Sequence, residues 1–404
     1  MTAPPSAPPK SLLARHRVLA PTAAVHVSPI CLGAMNFGNA WKSIMGECSK
    51  ETAFDMLDYF YEQGGNFIDT ANGYQAEESE TWLGEWMTKT GRRDEIVLAT
   101  KYTGAYKVAS GPNMMQSNFG GNSAKSLHVS VEASLKKLQT SYIDLVTPHV
   151  LSLILFHLLS TTSLTLVFLS QLYVHYWDMQ TCIPEVMQSL NHLVSSRKVL
   201  YLGISDTPAW VVVKCNAYAR QYGLRQFSVY QGKWSAAERD FERDIIPMCM
   251  DEGMSLAPWG ALGGGYFKPK EQVGKDGGRN LPHVKAKDAE QVSEVLDKIA
   301  KRKGTLVTSV ALAYVMHKAP YVFPICGGRK VSHLKGNIEA LGLQLSGQDL
   351  EEIEQAYPFD VGFPHNMLSG GPHAAKGPED HVISKRLGHI DYVKGLQPIP
   401  PQAL

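Results

Sequence analysis

Three apolar segments of this chain each finish in a titratable residue of a different kind. Asn66-Phe67-Ile68 runs into Asp69, with Tyr74 a few positions later. Residues 96–100 run into Lys101, and Leu172-Tyr173-Val174 runs into His175. Such runs, bounded by glycines and polar loops, predict buried β-strands. In a parallel α/β protein the C-terminal strand ends are where reacting groups collect. Asp, Tyr, Lys and His gathered there suit reduction of a carbonyl, whose oxygen must receive a proton as hydride reaches its carbon. Tyrosine, with a reference pKa of about 10, donates poorly near neutral pH unless its tyrosinate is stabilised. A nearby lysine stabilises it by opposite charge, and an aspartate fixes and neutralises the lysine. The histidine is placed to hydrogen-bond the substrate oxygen and orient it. Taken singly, each residue has an ordinary reading: a rim ion pair for Asp69 and Lys101, a rim contact for Tyr74, a core histidine for His175. All four together, at the ends of consecutive strands, favour the chemical reading.

Positioning them requires a parallel sheet, and the rest of the chain predicts one. Further strands are expected over 30–33, 199–204, 226–230, 254–258 and 321–325. Tyr142-Ile143-Asp144-Leu145 begins the strand that ends at His175. Helical spacing of apolar residues falls between them, over 52–63, 77–90, 183–196, 207–222, 238–252, 289–302 and 308–317. Another helix follows Ser123, a natural N-cap, with Leu127, Val131, Leu135 and Leu138 on its apolar face. Helices over 331–341 and 347–356 come after the last strand. Regular βα alternation implies parallel strands with right-handed crossovers, and eight units favour a closed (β/α)8 TIM-type barrel. A hairpin within 18–27 precedes it. The expected divisions are a disordered Pro-rich tail over 1–17, the barrel over 18–362 and a Gly-, Pro- and His-rich extension over 363–404.

Composition narrows the function classes. The chain has 404 residues, 44% hydrophobic and 19% charged, as a globular protein with a substantial core would. A net charge of +1 gives no electrostatic case for nucleic acid or an anionic membrane. Cys31, Cys48, Cys182, Cys215, Cys249 and Cys326 lack CxxC spacing, so neither a metal site nor a disulfide framework is expected. The N-terminus lacks the charged start and apolar core of a signal peptide, and a cytoplasmic location is expected.

The strings FIDTANGY, LATK and YVHYWD resemble the aldo-keto reductase superfamily over about residues 15 to 370. LYLGISDTPAWVVVKCNAYAR, VYQGKWSAAERDFERDI and PICGGRKVSHLKGNIEAL are similar to its aryl-alcohol dehydrogenase branch, and within that to norsolorinic acid reductase-like enzymes of fungal secondary metabolism. The resemblance implies a catalytic tetrad of Asp69, Tyr74, Lys101 and His175 on a (β/α)8 barrel, with NADPH/NADP as cofactor. It implies that Ser205-Asp206 stands where the family has a Ser-Asn pair holding the carboxamide. Gln231 matches an amide contact, Trp259 the aromatic that stacks on the nicotinamide, and His333 and Asn337 the positions toward the 2′-phosphate and adenine.

The residues support such a site independently. Trp259-Gly260-Ala261-Leu262-Gly263-Gly264-Gly265 suits a loop whose backbone amides approach a pyrophosphate. Gly327-Gly328-Arg329-Lys330 opens a helix, which is a phosphate-binding arrangement, and the two cations are suited to a ribose 2′-phosphate. The implied enzyme is an NADP-dependent reductase of an aromatic or polyketide carbonyl, with a small-molecule substrate and neither nucleic acid nor membrane as partner. Two alternatives stay open: an NADPH-binding redox-sensing subunit with little turnover, and an inactive product of a mis-spliced gene.

The second alternative comes from Val146 to Gln171, 26 residues rich in Leu, Ser and Thr with no Asp, Glu, Lys or Arg. Its length would span a bilayer, but Pro148, His149 and His157 and the lack of a positive flank argue against a membrane helix. Removing it joins the flanks as SYIDL-LYVHYWD, one continuous strand. Valine codons begin with GT, a glutamine codon can end in AG, and Leu164-Thr165 permits a branch-point-like string. The segment therefore reads as a translated, unspliced intron.

Overall fold

A computed structural model describes residues 7–143, 171–269, 286–375 and 377–403. Strands β1 (Arg17–Ala20) and β2 (Ala23–Val27) form an antiparallel hairpin. β3 (Cys31–Gly33), β4 (Phe67–Asp69), β5 (Val97–Tyr102), β6 (Gln171–Val174), β7 (Tyr201–Ser205), β8 (Phe227–Lys233), β9 (Ser255–Trp259) and β10 (Ile325–Gly327) form one eight-stranded parallel sheet. Its order is β10-β3-β4-β5-β6-β7-β8-β9. The two ends meet where Leu256 donates to the Tyr321 carbonyl at 3.0 Å and accepts from Phe323 at 2.8 Å. The expected (β/α)8 barrel is the observed fold.

Side chains alternate inward and outward along each strand. Cys31, Phe67, Val97, Ala99, Tyr173, Val229, Ala257 and Phe323 pack together with Leu19, Ala20, Ala23, Val25 and Val27 of the hairpin. The hairpin thus stops the lower end of the barrel. Stepping two residues along each strand from this inner layer reaches Asp69 from Phe67, Lys101 from Ala99, His175 from Tyr173, Gln231 from Val229 and Trp259 from Ala257. Period two therefore delivers five expected site residues to one mouth. Leu98, Leu172, Val174, Leu202 and Ile204 pack outward among the helices.

Most expected helices are present within a residue or two, including Ala124–Lys137 with the Ser123 side chain accepting from the Ser126 amide. The helix expected over 238–252 is broken into a 3-10 turn, Asp240–Glu242, and a helix, Ile245–Asp251. Pro247 explains the break, because its ring and missing amide stop an α-helix from continuing through it from 238. The last strand begins later than expected, at Ile325, since Pro324 offers only its carbonyl, which Cys31 N–H uses at 3.0 Å. The disordered tail expected over 1–17 is corrected for its second half. Ser11 donates to the Gln63 carbonyl at 2.7 Å, Leu13 is fully buried, and Arg17 already belongs to β1.

The apolar segment expected as an insertion lies outside the described residues except for Gln171, which is in β6 opposite Ala99 and Tyr201. Ile143 bridges to Val199, and Leu172 pairs with Leu202. The neighbouring strand advances three residues between those points while this chain advances 29, an excess of 26. That excess equals the length of the Val146–Gln171 segment.

Candidate active site

At the mouth, Lys101 is fully buried and its ammonium faces three oxygens: Asp69 Oδ2 at 2.7 Å, the Thr70 carbonyl at 2.7 Å and the Tyr74 hydroxyl at 3.3 Å. An ammonium has three N–H donors, so none remains for another partner. Burial pulls the Lys101 pKa down, but Asp69 and Tyr74 outweigh it and the net direction is up. Burial pushes the Tyr74 phenol up, Lys101 pulls it down and Asp69 raises it, leaving it above its ordinary value. The expected stabilisation of tyrosinate by lysine is therefore present but outweighed by burial. Tyr74 holds its proton.

The loop carrying Tyr74 is unusual. Gln75, Ala76 and Glu77 have φ of 53°, 51° and 82°, a left-handed run that non-glycine residues rarely adopt. Side chains hold it in place. The buried Gln75 amide accepts from Trp41 N–H at 2.8 Å and donates to the Met35 carbonyl at 3.0 Å. Lys137 lies 3.1 Å from Glu77, 2.7 Å from the buried Glu80 and 2.8 Å from the Asn72 carbonyl.

The His175 ring stands edge-on to Tyr74 with centroids 6.0 Å apart. Burial, then the Lys101 charge, lowers its pKa to about 3. It is neutral near pH 7 and able to donate one hydrogen bond from one ring nitrogen. Trp41 also packs edge-on against Tyr74, with centroids 6.1 Å apart. Sequence reasoning passed over Trp41, although a large aromatic in a Gly-, Asn- and Ser-containing loop after the first barrel strand is a visible signal. It also passed over Lys137 and Glu80, for which helix periodicity gives no sign.

The other expected residues border the same mouth. Gln231, expected as a cofactor contact, donates its Nε2 to Asp69 Oδ1 at 2.9 Å and so braces the acid. Asp206 accepts from Ser205 Oγ at 3.0 Å and from the Trp259 indole at 3.2 and 3.3 Å. Trp259 is 38% exposed, with its ring at the opening. Gly263, Gly264 and Gly265 have φ of 69°, 61° and 99°, and a Cβ on Gly263 would come within 2.6 Å of the Phe267 ring. Glycine is required in that turn, which leaves the backbone bare. Gly328 precedes helix Val331–Glu339, whose N-cap is Lys330. Lys330 and His333 are exposed, Asn337 is buried, and Arg329 lies against Gly46. The exposed indole offers a flat face for a ring, and the glycine turn and basic helix start fit the phosphates of a dinucleotide.

Comparison with known proteins decides the family. The model of the Aldo/keto reductase family matches residues 29–153 and 164–358. The chain belongs to the aldo/keto reductase family. Like other aldo/keto reductases, it is an oxidoreductase that uses a nicotinamide dinucleotide. It is 57% identical to norsolorinic acid reductase B of Dothistroma septosporum, over 96% of this chain and 94% of that protein. It is 54% identical to an aryl-alcohol dehydrogenase of Pestalotiopsis microspora, over 98% and 96%. With the aryl-alcohol dehydrogenase [NADP(+)] of Phanerodontia chrysosporium it shares 44% identity over 98% of each chain. This aldo/keto reductase has no helix among its described residues long and apolar enough to cross a membrane. Nor do those residues contain a cluster of metal ligands.

Proposed function

We propose that this chain is a cytoplasmic, NADPH-dependent reductase of aromatic or polyketide carbonyls, working reversibly, with Asp69, Tyr74, Lys101 and His175 as its catalytic tetrad. The observation that carries the reading is the Lys101 ammonium, bonded to Asp69 and 3.3 Å from a protonated Tyr74 hydroxyl at the barrel mouth. When bound, NADPH supplies hydride to the carbonyl carbon. Tyr74 gives its proton to the carbonyl oxygen, and Lys101 stabilises the tyrosinate left behind. Asp69 keeps Lys101 charged and fixed in place. Neutral His175 donates a hydrogen bond that aims the carbonyl at Tyr74. Trp259 would stack on the nicotinamide, Ser205 and Asp206 would hold its carboxamide, and residues 260–264 would follow the pyrophosphate. Gly328, Arg329, Lys330, His333 and Asn337 would hold the adenosine 2′-phosphate end. The catalytic unit begins at about Ser11 and runs to 362, with 363–404 as an appendage and 146–171 as retained intron sequence.

The aryl-alcohol and norsolorinic acid reductase relatives support the substrate class. The experiment is NADPH consumption with a panel of aryl aldehydes and ketones. Aldehyde-dependent consumption at ordinary enzymatic turnover, 1 to 10³ per second, is expected. Tight NADPH binding without turnover of any carbonyl would favour a redox-sensing subunit instead.

A further inference from the structure

Asp206 follows β7 and has φ of 41°, a left-handed backbone that turns its side chain to the barrel mouth. Its own N–H is spent on the Gln231 carbonyl at 3.0 Å. Ser205 Oγ lies 3.0 Å from one carboxylate oxygen, and the Trp259 indole N–H is shared between both, at 3.2 and 3.3 Å. An indole N–H can only donate, so Asp206 must accept there. Burial leaves the Asp206 carboxyl above its ordinary value, and both contacts oppose that push by favouring the ionised acid.

The four tetrad side chains beside Asp206 sum to no net charge. Asp69 and Lys101 cancel at 2.7 Å. Tyr74 keeps its proton and His175 is neutral. Asp206 forms no ion pair among the described residues; its electrostatic partner is Lys101, at longer range and already bonded to Asp69. Asp206 is therefore the one carboxylate of this inner group without a bonded cation, and it is fixed to the edge of the exposed Trp259.

Resting on the reading that the nicotinamide lies against Trp259, we propose that Asp206 poises the redox equilibrium of the bound cofactor. Its carboxylate holds the oxidised nicotinamide more tightly than the reduced one. The oxidised ring carries a positive charge and the reduced ring none, so a fixed carboxylate attracts only the former. A neutral amide at this position would hydrogen-bond the carboxamide of either form alike. Uneven binding of the two forms shifts hydride transfer on the enzyme by the same factor. Tighter binding of NADP favours departure of hydride from the cofactor, with the proton leaving Tyr74 for the carbonyl oxygen. Asp206 thus biases this barrel toward carbonyl reduction and slows release of the oxidised cofactor.

Calorimetric titration with NADP and with NADPH tests this for the wild type, Asp206→Asn and Asp206→Ser, each in the full-length chain where it is recovered soluble and otherwise in the chain lacking Val146–Gln171. Both variants remove the charge, and Asn keeps a δ-oxygen able to accept from the Trp259 indole. NADP affinity is expected to fall about tenfold in each, while NADPH affinity changes less than about twofold; a tenfold change is about 1.4 kcal/mol. An unchanged ratio of the two affinities overturns the poising role, whether both fall together or neither moves. Failure of the wild type to bind either nucleotide overturns the proposed function and this inference with it.

Discussion

The Lys101 ammonium lies 3.3 Å from the Tyr74 hydroxyl and 2.7 Å from Asp69 Oδ2, wholly out of contact with water. One cation therefore serves two oxygens, balancing a permanent negative charge and standing ready for a transient one. Lys101→Met removes that balance. Asp69 is left buried and unpaired, at a cost of about 3–5 kcal/mol in stability. Turnover should fall by about 10² or more as tyrosinate loses its support. Denaturant unfolding and steady-state rates report the two losses separately. A variant of normal stability and activity would show that the ion pair serves neither purpose.

His175 gives a prediction in pH. Its pKa in the fold is about 3, against an ordinary value of 6.5. Between those values the unfolded chain binds a proton that the folded chain refuses. The stability tied to this ring is therefore intact above pH 6.5 and is lost as pH falls toward 3. The melting temperature should drop on acidification through that window, and less steeply in His175→Gln. Identical acid slopes in the two proteins would mean that the ring is not held neutral.

Arg329 and Lys330 mark the start of the helix after β10. Changing both to Ala should raise KM for NADPH about tenfold or more, since bonds to charged groups contribute roughly 1.5–3 kcal/mol each. KM for NADH, which lacks the 2′-phosphate, should hardly move. Equal losses with both cofactors would show that this pair does not read the phosphate.

The excess of 26 residues between Ile143 and Leu172, measured against the neighbouring strand, bears on expression of the protein. A barrel strand must hydrogen-bond on both sides, and each buried amide left unpaired costs about 1–3 kcal/mol. Native stability is only about 5–15 kcal/mol, so a few such losses are serious. The chain lacking Val146–Gln171 should be soluble and oxidise NADPH, and the full-length chain should be largely insoluble or weakly active. A full-length chain that is soluble and faster would show that the segment belongs to the enzyme.

Much of this site was legible because period-two alternation converts strand position into direction. Asp69, Lys101 and His175 could be placed at one mouth once their strands were recognised. Contacts between distant strands carried no such signal. Gln231 braces Asp69 from 162 positions away, and nothing near VYQGK announces it. The left-handed run Gln75 to Glu77 was hidden as well, because these residues have no left-handed preference and are held by Trp41, Lys107 and Lys137 from three other segments. Pro247 and Pro324 were in plain view, and their helix- and strand-breaking effects explain the two displaced elements.

The most direct test of the account is a single-turnover experiment. Protein loaded with NADPH is mixed with an aryl aldehyde, and loss of the reduced nicotinamide absorbance is followed for the wild type and Tyr74→Phe. The wild type should show rapid decay. The variant should bind NADPH equally well but decay about 10² to 10⁴ times more slowly, the usual worth of a proton donor. Equal decay rates in the two proteins would contradict the assignment of Tyr74 as the acid, and with it the account of this barrel mouth as a carbonyl-reducing site.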